Sequence, residues 1–338
     1  APEAWGNPFT ADDFFASQLL SRCPADFIKR LTRRTTPEAA SAVADLAALL
    51  TDGILEVPKP QSATYTVRGN GRAPFSLSLV EAEFHLGGTG RFAYPAAEAL
   101  AKLLADMDGV DGLRLGGVAV LELGCGIGLG GLAAARCGAR VLMTDRNELV
   151  LERASANAEL NGLEGVQFAS LDWEDFASVE GAADACSAAR IGGEGGFAPQ
   201  LIIGADVCYL PEHADQIVEV MARLFTHAVA GARAVLVIGH PNQGLARLEA
   251  LLGAAETLKR LEETSPALQQ ISRPYLVNQD NANAHIPPST RAAAARLQLL
   301  SARRYVGYAD HAHHVFVVSQ AIPNHHPRPP SPTTIPTP

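Results

Sequence analysis

The sequence lacks any uninterrupted apolar run of the ~20 residues that a bilayer-spanning helix requires. The nearest approach, Gly117 to Ala135, is broken by Glu122 and crowded with glycine. That pattern suits a buried strand running into a helix start, so no membrane segment is expected. Basic charge is also short: 27 Lys and Arg stand against 36 Asp and Glu, a formal net charge of −9. Sequence-independent phosphate binding draws on Lys and Arg. Nucleic acid is therefore a poor partner, and a protein or a small molecule is the better substrate class. A basic protein would suit the chain electrostatically. Cysteine is scarce. Cys23, Cys125, Cys137, Cys186 and Cys208 form no CxxC pair and no even framework. They read as free thiols in a reducing compartment, and a cytoplasmic location is expected. No internal repeat or secretory signal is visible. Residues 16–34 carry Arg22, Lys29, Arg30, Arg33 and Arg34 with only Asp26 opposed. A solvated helix face accounts for this better than an organelle-targeting remnant, although import stays open.

What is present is enough apolar sequence, 47% of 338 residues, for one sizeable core with decoration or for two small domains. Residues 1–57 read as helical: Asp12-Asp13 precedes an apolar stretch, and Pro37 opens a second from Ala39 to Leu50. Alternation at Tyr65-Thr-Val67 and Phe75 to Val80 predicts one or two strands. From about residue 85 strands and helices alternate. A helix fits Pro95 to Met107, and a strand fits Val118 to Leu123. A glycine-rich turn and a helix to about Cys137 follow. Strand Arg140–Thr144 ends at Asp145, a helix fits Glu148 to Leu160, and Val166–Ala169 is a strand. Residues 176–198, rich in Ala, Gly and Ser, read as a linker. Strand Gln200–Ile203, helix Glu212–Phe225 and strand Ala232–Ile238 complete the series. Short continuous apolar strands belong to a parallel sheet covered on both faces, so the order is doubly wound α/β. Residues 259–300 are less regular, with a surface loop at Asn278–Ser289. Arg303–Tyr308 and His314–Val318 read as a final hairpin, which must be antiparallel. The proline-rich segment 321–338 reads as disordered. The expected division is an extension at 1–84, a catalytic domain at 85–320 and a tail at 321–338.

The chemistry centres on Glu122-Leu-Gly124-Cys125-Gly126-Ile-Gly128, which follows the first core strand, where a doubly wound fold binds its ligand. Gly126-Ile-Gly128-Leu-Gly130-Gly131 also satisfies the GxGxxG of a dinucleotide binder. Glu122 argues against that reading, because a carboxylate there suits a cationic or amino-bearing ligand and repels a pyrophosphate. Asp145 ends the next strand about twenty residues on and suits ribose hydroxyls in either case. Two further motifs, Leu171-Asp172-Trp173 and Asp206-Val-Cys-Tyr209, are not needed by a dinucleotide binder.

Together these residues resemble motif I and the later motifs of seven-β-strand methyltransferases, and within them the eukaryotic methyltransferase-like protein-lysine methyltransferases. Thr89-Gly90-Arg-Phe-Ala-Tyr94-Pro95 is similar to that family's pre-core segment, with Tyr94 where tryptophan is usual. The resemblance covers roughly 85–240. It implies a Rossmann-like, mostly parallel seven-stranded sheet with a C-terminal hairpin, S-adenosylmethionine as cofactor, and a protein substrate such as a translation factor, chaperone or calmodulin-like protein. It implies that Tyr94, Glu122, Gly124, Cys125, Gly126, Gly128, Asp145, Asp172, Trp173 and Ala205 bind the cofactor. Gly124, Cys125 and Gly126 would line its methionine part with backbone, Asp145 would take the ribose, and Asp172 and Trp173 the adenine. Asp206 and Tyr209 would face the methyl acceptor. A lysine amine, with an unperturbed pKa near ~10.4, must lose its proton before it attacks. Asp206 can hold the ammonium on arrival, and an apolar channel then lowers the amine pKa.

Each reading has a plainer rival. Glu122 could merely pair with a core donor, Asp145 also suits a helix N-cap, Trp173 and Tyr94 suit core packing, and Asp206 and Tyr209 suit a turn after a strand. Cys125 has no adjacent base and reads as a small turn residue. His311, His313 and His314 lack the acids and thiols of a metal site and read as solvated hairpin residues, so no metal is expected. His240 follows the fifth core strand and is a candidate substrate contact. An (Asp/Asn)-Pro-Pro-aromatic signature is missing after the fourth core strand, where Asp206-Val-Cys-Tyr209 stands instead, which weighs against base methylation. The leading expectation is a monomeric protein-lysine methyltransferase working by in-line displacement. The alternatives are a small-molecule or nucleic-acid methyltransferase and a non-catalytic interaction protein on the same scaffold.

Overall fold

A computed structural model describes residues 60–82, 90–106, 114–239, 243–254, 286–306 and 312–321. The helices expected in 1–57, the segment 321–338 beyond Ala321, His240 and His311 lie outside the described residues.

The apolar runs form the sheet. Strand β3 (Ala119–Leu123) is buried along its whole length. It pairs in parallel with β4 (Arg140–Asp145) on one side and β6 (Leu201–Ala205) on the other. Strand β5 (Gln167–Ser170) extends the sheet beyond β4, and β7 (Arg233–Ile238) beyond β6, both in parallel. Strands β8 (Leu297–Val306) and β9 (Ala312–Gln320) close it antiparallel, giving the order β5-β4-β3-β6-β7-β9-β8. The expected seven-stranded, doubly wound sheet with a C-terminal hairpin is the fold observed.

Successive residues of a strand point to opposite faces, and the core divides accordingly. Leu121, Leu123, Leu142, Ile202 and Leu236 pack on one face with helices α4 (Val179–Ala188) and α5 (Pro211–Leu224). Val120, Val141, Met143, Ile203 and Val235 pack on the other with α1 (Pro95–Ala105), α2 (Leu129–Arg136) and α3 (Glu148–Leu160). A separate antiparallel hairpin, β1 (Ser62–Val67) with β2 (Phe75–Val80), joins that second core through Val67, Leu77 and Leu79. Helices α6 (Gln243–Leu252) and α7 (Pro288–Ala294) pack against α5. Arg247 of α6 reaches Asp215 of α5 with two bonds of 2.8 and 3.0 Å, and Thr290 of α7 donates to Glu219 of α5 at 2.8 Å.

Three readings of the sequence are corrected. The stretch taken as a linker contains α4: Ser178 caps it by accepting from Gly181 N at 2.9 Å, and Ala182, Ala185 and Cys186 are buried. Alanine is the best helix former, so composition alone misleads here. The final hairpin begins earlier than expected, and α7 stands where an irregular stretch was expected, opened by Pro288 in its first turn. His313 and His314, expected in solvent, are 1% and 3% exposed.

Candidate functional site

Sheet order reverses at β3, whose parallel neighbours continue the chain in opposite directions. In this fold the crevice beyond the carboxyl ends of the strands at that point holds the ligand. The residues singled out from sequence gather there. After Leu123 the chain turns through Gly124, Gly126 and Gly128, with φ of +60°, +54° and +102°. L side chains rarely adopt such angles. Space is equally decisive. A Cβ on Gly124 would lie 3.3 Å from both the Trp173 ring and Val207, and one on Gly126 would lie 3.2 Å from Gly90 O. The turn is held from β4: Cys125 N donates to Thr144 O at 2.9 Å, and Gly126 N donates to Asp145 Oδ2 at 3.1 Å.

Asp145 stands at the end of β4, where its other oxygen accepts from Asn147 N at 3.0 Å. Burial pushes its carboxyl above the ordinary value, and the backbone N–H groups of Asn147, Gly126 and Arg146, with the Arg146 charge, pull it back. Each oxygen still has a lone pair for a ligand hydroxyl. The helix cap is Asn147, which accepts from Leu149 N at 3.1 Å, so Asp145 is not needed for that task. Asp172 accepts from Glu174 N at 3.0 Å and caps the 3-10 turn Trp173–Ala177. Trp173 is partly buried against the Gly124 backbone and packs on the core. Cys125 is 8% exposed, and burial raises its thiol pKa well above the ordinary value, the opposite of what a nucleophile needs.

Glu122 was expected to meet the ligand. Instead it is 3% exposed, and its carboxylate lies beneath α2, accepting from Gly131 N at 2.9 Å. Burial pushes its pKa up to about 8. Glu122 therefore supports the turn from behind. The sign of its pH effect follows. The folded state keeps a proton that the unfolded chain releases near pH 4.5, so stability falls as pH rises towards 8. His213, whose pKa burial lowers below 6.5, contributes its change under pH 6.5. Between pH 6.5 and 8.5 the chain is expected to lose about 2 kcal/mol through Glu122. Glu122→Gln, which mimics the protonated form, should remove most of that slope in thermal melts.

On the other side of the crevice, β6 ends at Ala205, and Asp206 takes a left-handed φ of 50°. Its backbone N donates to Val237 O at 2.9 Å, and its Oδ1 accepts from Gly239 N at 2.7 Å. Tyr94, at the start of α1, is a neighbour: burial first, then Asp206 and Tyr209, push its hydroxyl up to about 12, so it stays a hydrogen-bond donor. Tyr209 meets His213 edge-on at 4.2 Å, and Tyr94 lies 4.5 Å from Phe92, over which Arg91 sits at 4.8 Å. Sequence reasoning brought Tyr94, Asp206 and Tyr209 forward but missed Arg91, Phe92 and His213 as members of this wall. Only nearness to Tyr94 and Tyr209 in the chain could have signalled them. Cys208, between Asp206 and Tyr209, is fully buried and takes no part in the surface.

Residues 75–238 match the lysine methyltransferase family. Over that stretch the chain resembles a class I methyltransferase core. Curated relatives agree with it. The histone-arginine methyltransferase METTL23 of Rattus norvegicus is 34% identical over 131 residues, 38% of this chain and 50% of that protein. The protein-lysine N-methyltransferase EEF2KMT of Homo sapiens is 34% identical over 163 residues, 44% of each. The protein N-lysine methyltransferase METTL21A of Danio rerio is 34% identical over 141 residues, 40% of this chain and 56% of that protein. The chain spans about half the length of the curated relatives it matches.

The cofactor of a class I methyltransferase is S-adenosylmethionine, and the residues fit it. The left-handed glycines bare backbone at the turn, the Asp145 carboxylate suits a diol, and the Trp173 ring suits a flat base. Among the described residues no group of three or more His, Cys, Asp or Glu is placed to hold a metal, and no helix is long and apolar enough to cross a membrane.

Proposed function

We propose that this chain is an S-adenosylmethionine-dependent protein methyltransferase acting on a lysine side chain. The observation that carries this reading is the wall of Tyr94, Asp206 and Tyr209 across the crevice from the glycine turn and Asp145. Gly124, Cys125 and Gly126 would line the methionine part, Asp145 the ribose, and Asp172 and Trp173 the adenine. When bound, the cofactor supplies an electrophilic methyl group on a sulfonium.

The chain's own residues prepare the acceptor. The Asp206 carboxylate, fixed by Gly239 N, offers a counter-charge to an incoming ammonium. Tyr94 and Tyr209 give it apolar walls with polar tips. The carboxylate favours the ammonium on arrival, whereas the apolar walls disfavour the charged amine and so promote its loss of a proton to water. Alignment of the amine with the methyl group would supply most of the rate. The net charge of −9 favours a basic protein segment as substrate.

The test is to incubate the chain with isotope-labelled S-adenosylmethionine and a proteome lacking its activity, and to map the label by mass spectrometry. Label on lysine supports the reading. Label on arginine, the residue in the name of the rat relative, would replace lysine with a guanidine acceptor. Label confined to RNA or metabolites would sink it.

A further inference from the structure

Helix α3 and its C-cap carry two asparagines one turn apart, Asn157 and Asn161, that cover the open edge of β2. Asn161 accepts from Ser78 N at 2.9 Å and donates to Ser78 O at 2.7 Å. Asn157 does the same two residues along, accepting from Val80 N at 2.8 Å and donating to Val80 O at 3.1 Å. Each side-chain amide thus stands in for a neighbouring strand. Asn157 does one thing more. Its second N–H donates to Ile127 O, inside the glycine turn, at 3.0 Å. The residue is 1% exposed, and no water can replace these bonds without opening the structure.

The hydrogen bonds continue towards the acceptor wall. Two residues after Val80, Ala82 N donates to Arg91 O at 2.9 Å. Arg91 precedes Phe92 and Tyr94, and Gly90 lies against Gly126. One buried amide therefore sets the register between the glycine turn and the hairpin, and the hairpin in turn holds the segment that carries Tyr94. At Asn161 the third bond stays within the helix end, its second N–H donating to Asn157 O at 2.7 Å; at Asn157 it leaves the helix. The third bond, to Ile127 O, goes to the turn itself.

We infer that Asn157 is a positioning residue for the cofactor turn, coupling the position of the β1–β2 hairpin to cofactor affinity. This rests on the cofactor reading above. Asn157 touches no ligand. It acts through the carbonyl of Ile127, which fixes the chain between Gly126 and Gly128.

Asn157→Ala and Asn161→Ala in the full chain separate this role from hairpin docking. Both remove two bonds to β2, and both are expected to lower the melting temperature. Only Asn157→Ala should weaken binding of S-adenosylhomocysteine, by about tenfold. It should raise the KM for S-adenosylmethionine by a similar factor with kcat changed less than about twofold. Asn157→Asp, which can still accept from Val80 N but cannot donate to Ile127 O, should behave as the alanine variant does. Hydrogen exchange at residues 125–129 of the ligand-free protein gives a readout independent of the cofactor: at least about tenfold faster in Asn157→Ala, unchanged in Asn161→Ala. Equal effects of the two variants on exchange and affinity, or no effect of either, would overturn the inference. Wild-type protein that binds no S-adenosylhomocysteine, while the exchange contrast holds, would sink the cofactor reading and leave the positioning of the turn standing.

Discussion

Asp206→Asn is expected to lower kcat/KM for the methyl acceptor roughly 100-fold and to leave the affinity for S-adenosylhomocysteine within about threefold. Asparagine isolates the charge. It tolerates the left-handed φ of 50° better than most residues, and its side-chain oxygen can still accept from Gly239 N. Folding should therefore be little changed. What is lost is the carboxylate proposed to meet an incoming ammonium, and a charge-assisted hydrogen bond is worth about 1.5 to 3 kcal/mol. In rate that is roughly 10-fold to 150-fold. Steady-state kinetics with the labelled substrate, alongside calorimetry with the product, check the split. A loss of product affinity equal to the loss of rate would place Asp206 in the cofactor pocket and leave the acceptor wall to Tyr94 and Tyr209.

Gly131→Ala is expected to destabilise the protein by about 3 kcal/mol, the opposite sign to its helix propensity. Alanine in a helix interior is favoured over glycine by about 1 kcal/mol, and Gly131 lies within α2. A Cβ there, however, would lie 2.5 Å from Glu122 Oε2 and 2.8 and 2.9 Å from Met143 Cγ and Sδ. Glu122 and Met143 are 3% and 0% exposed and have nowhere to move. Overpacking of this kind costs about 1 to 3 kcal/mol. Disturbing the hydrogen bond from Gly131 N to that buried carboxyl adds to it. Gly116→Ala is the control: a Cβ there meets nothing within 4 Å, so its melting temperature should stay close to the wild type. Chemical denaturation of both variants decides the sign.

Gly130 and Gly131 also show what the sequence could and could not convey. The same glycines that imitate a dinucleotide fingerprint are small because Glu122 needs the room behind α2. Glu122 selected the right cofactor class for an incomplete reason: it marks the fold's turn without meeting the ligand. Strands β3, β4, β6 and β7 were legible because each is a short apolar run ended by a glycine or an aspartate, at Gly124, Asp145, Asp206 and Gly239. Helix α4 was not, because Ala, Ser and Gly give no periodic contrast and its cap, Ser178, sits among other small residues. Burial of His313 and His314 was invisible for a different reason. It depends on β9 lying between β7 and β8, a pairing that no local pattern reveals. The wall joins Tyr94 to Asp206 and Tyr209, more than a hundred positions apart, and Phe92 and His213 carried no sequence signal beyond their nearness in the chain to Tyr94 and Tyr209.

The most direct test of the account is a calorimetric titration of the wild type and Asp145→Ala with S-adenosylhomocysteine. The wild type should bind one molecule per chain. The variant loses the proposed ribose acceptor and the anchor of Gly126 N together, so its affinity should fall at least about 30-fold. Equal affinity in the two proteins, or heat of binding with a nicotinamide dinucleotide and none with S-adenosylhomocysteine, would contradict the placement of a methyl-donor site at the glycine turn.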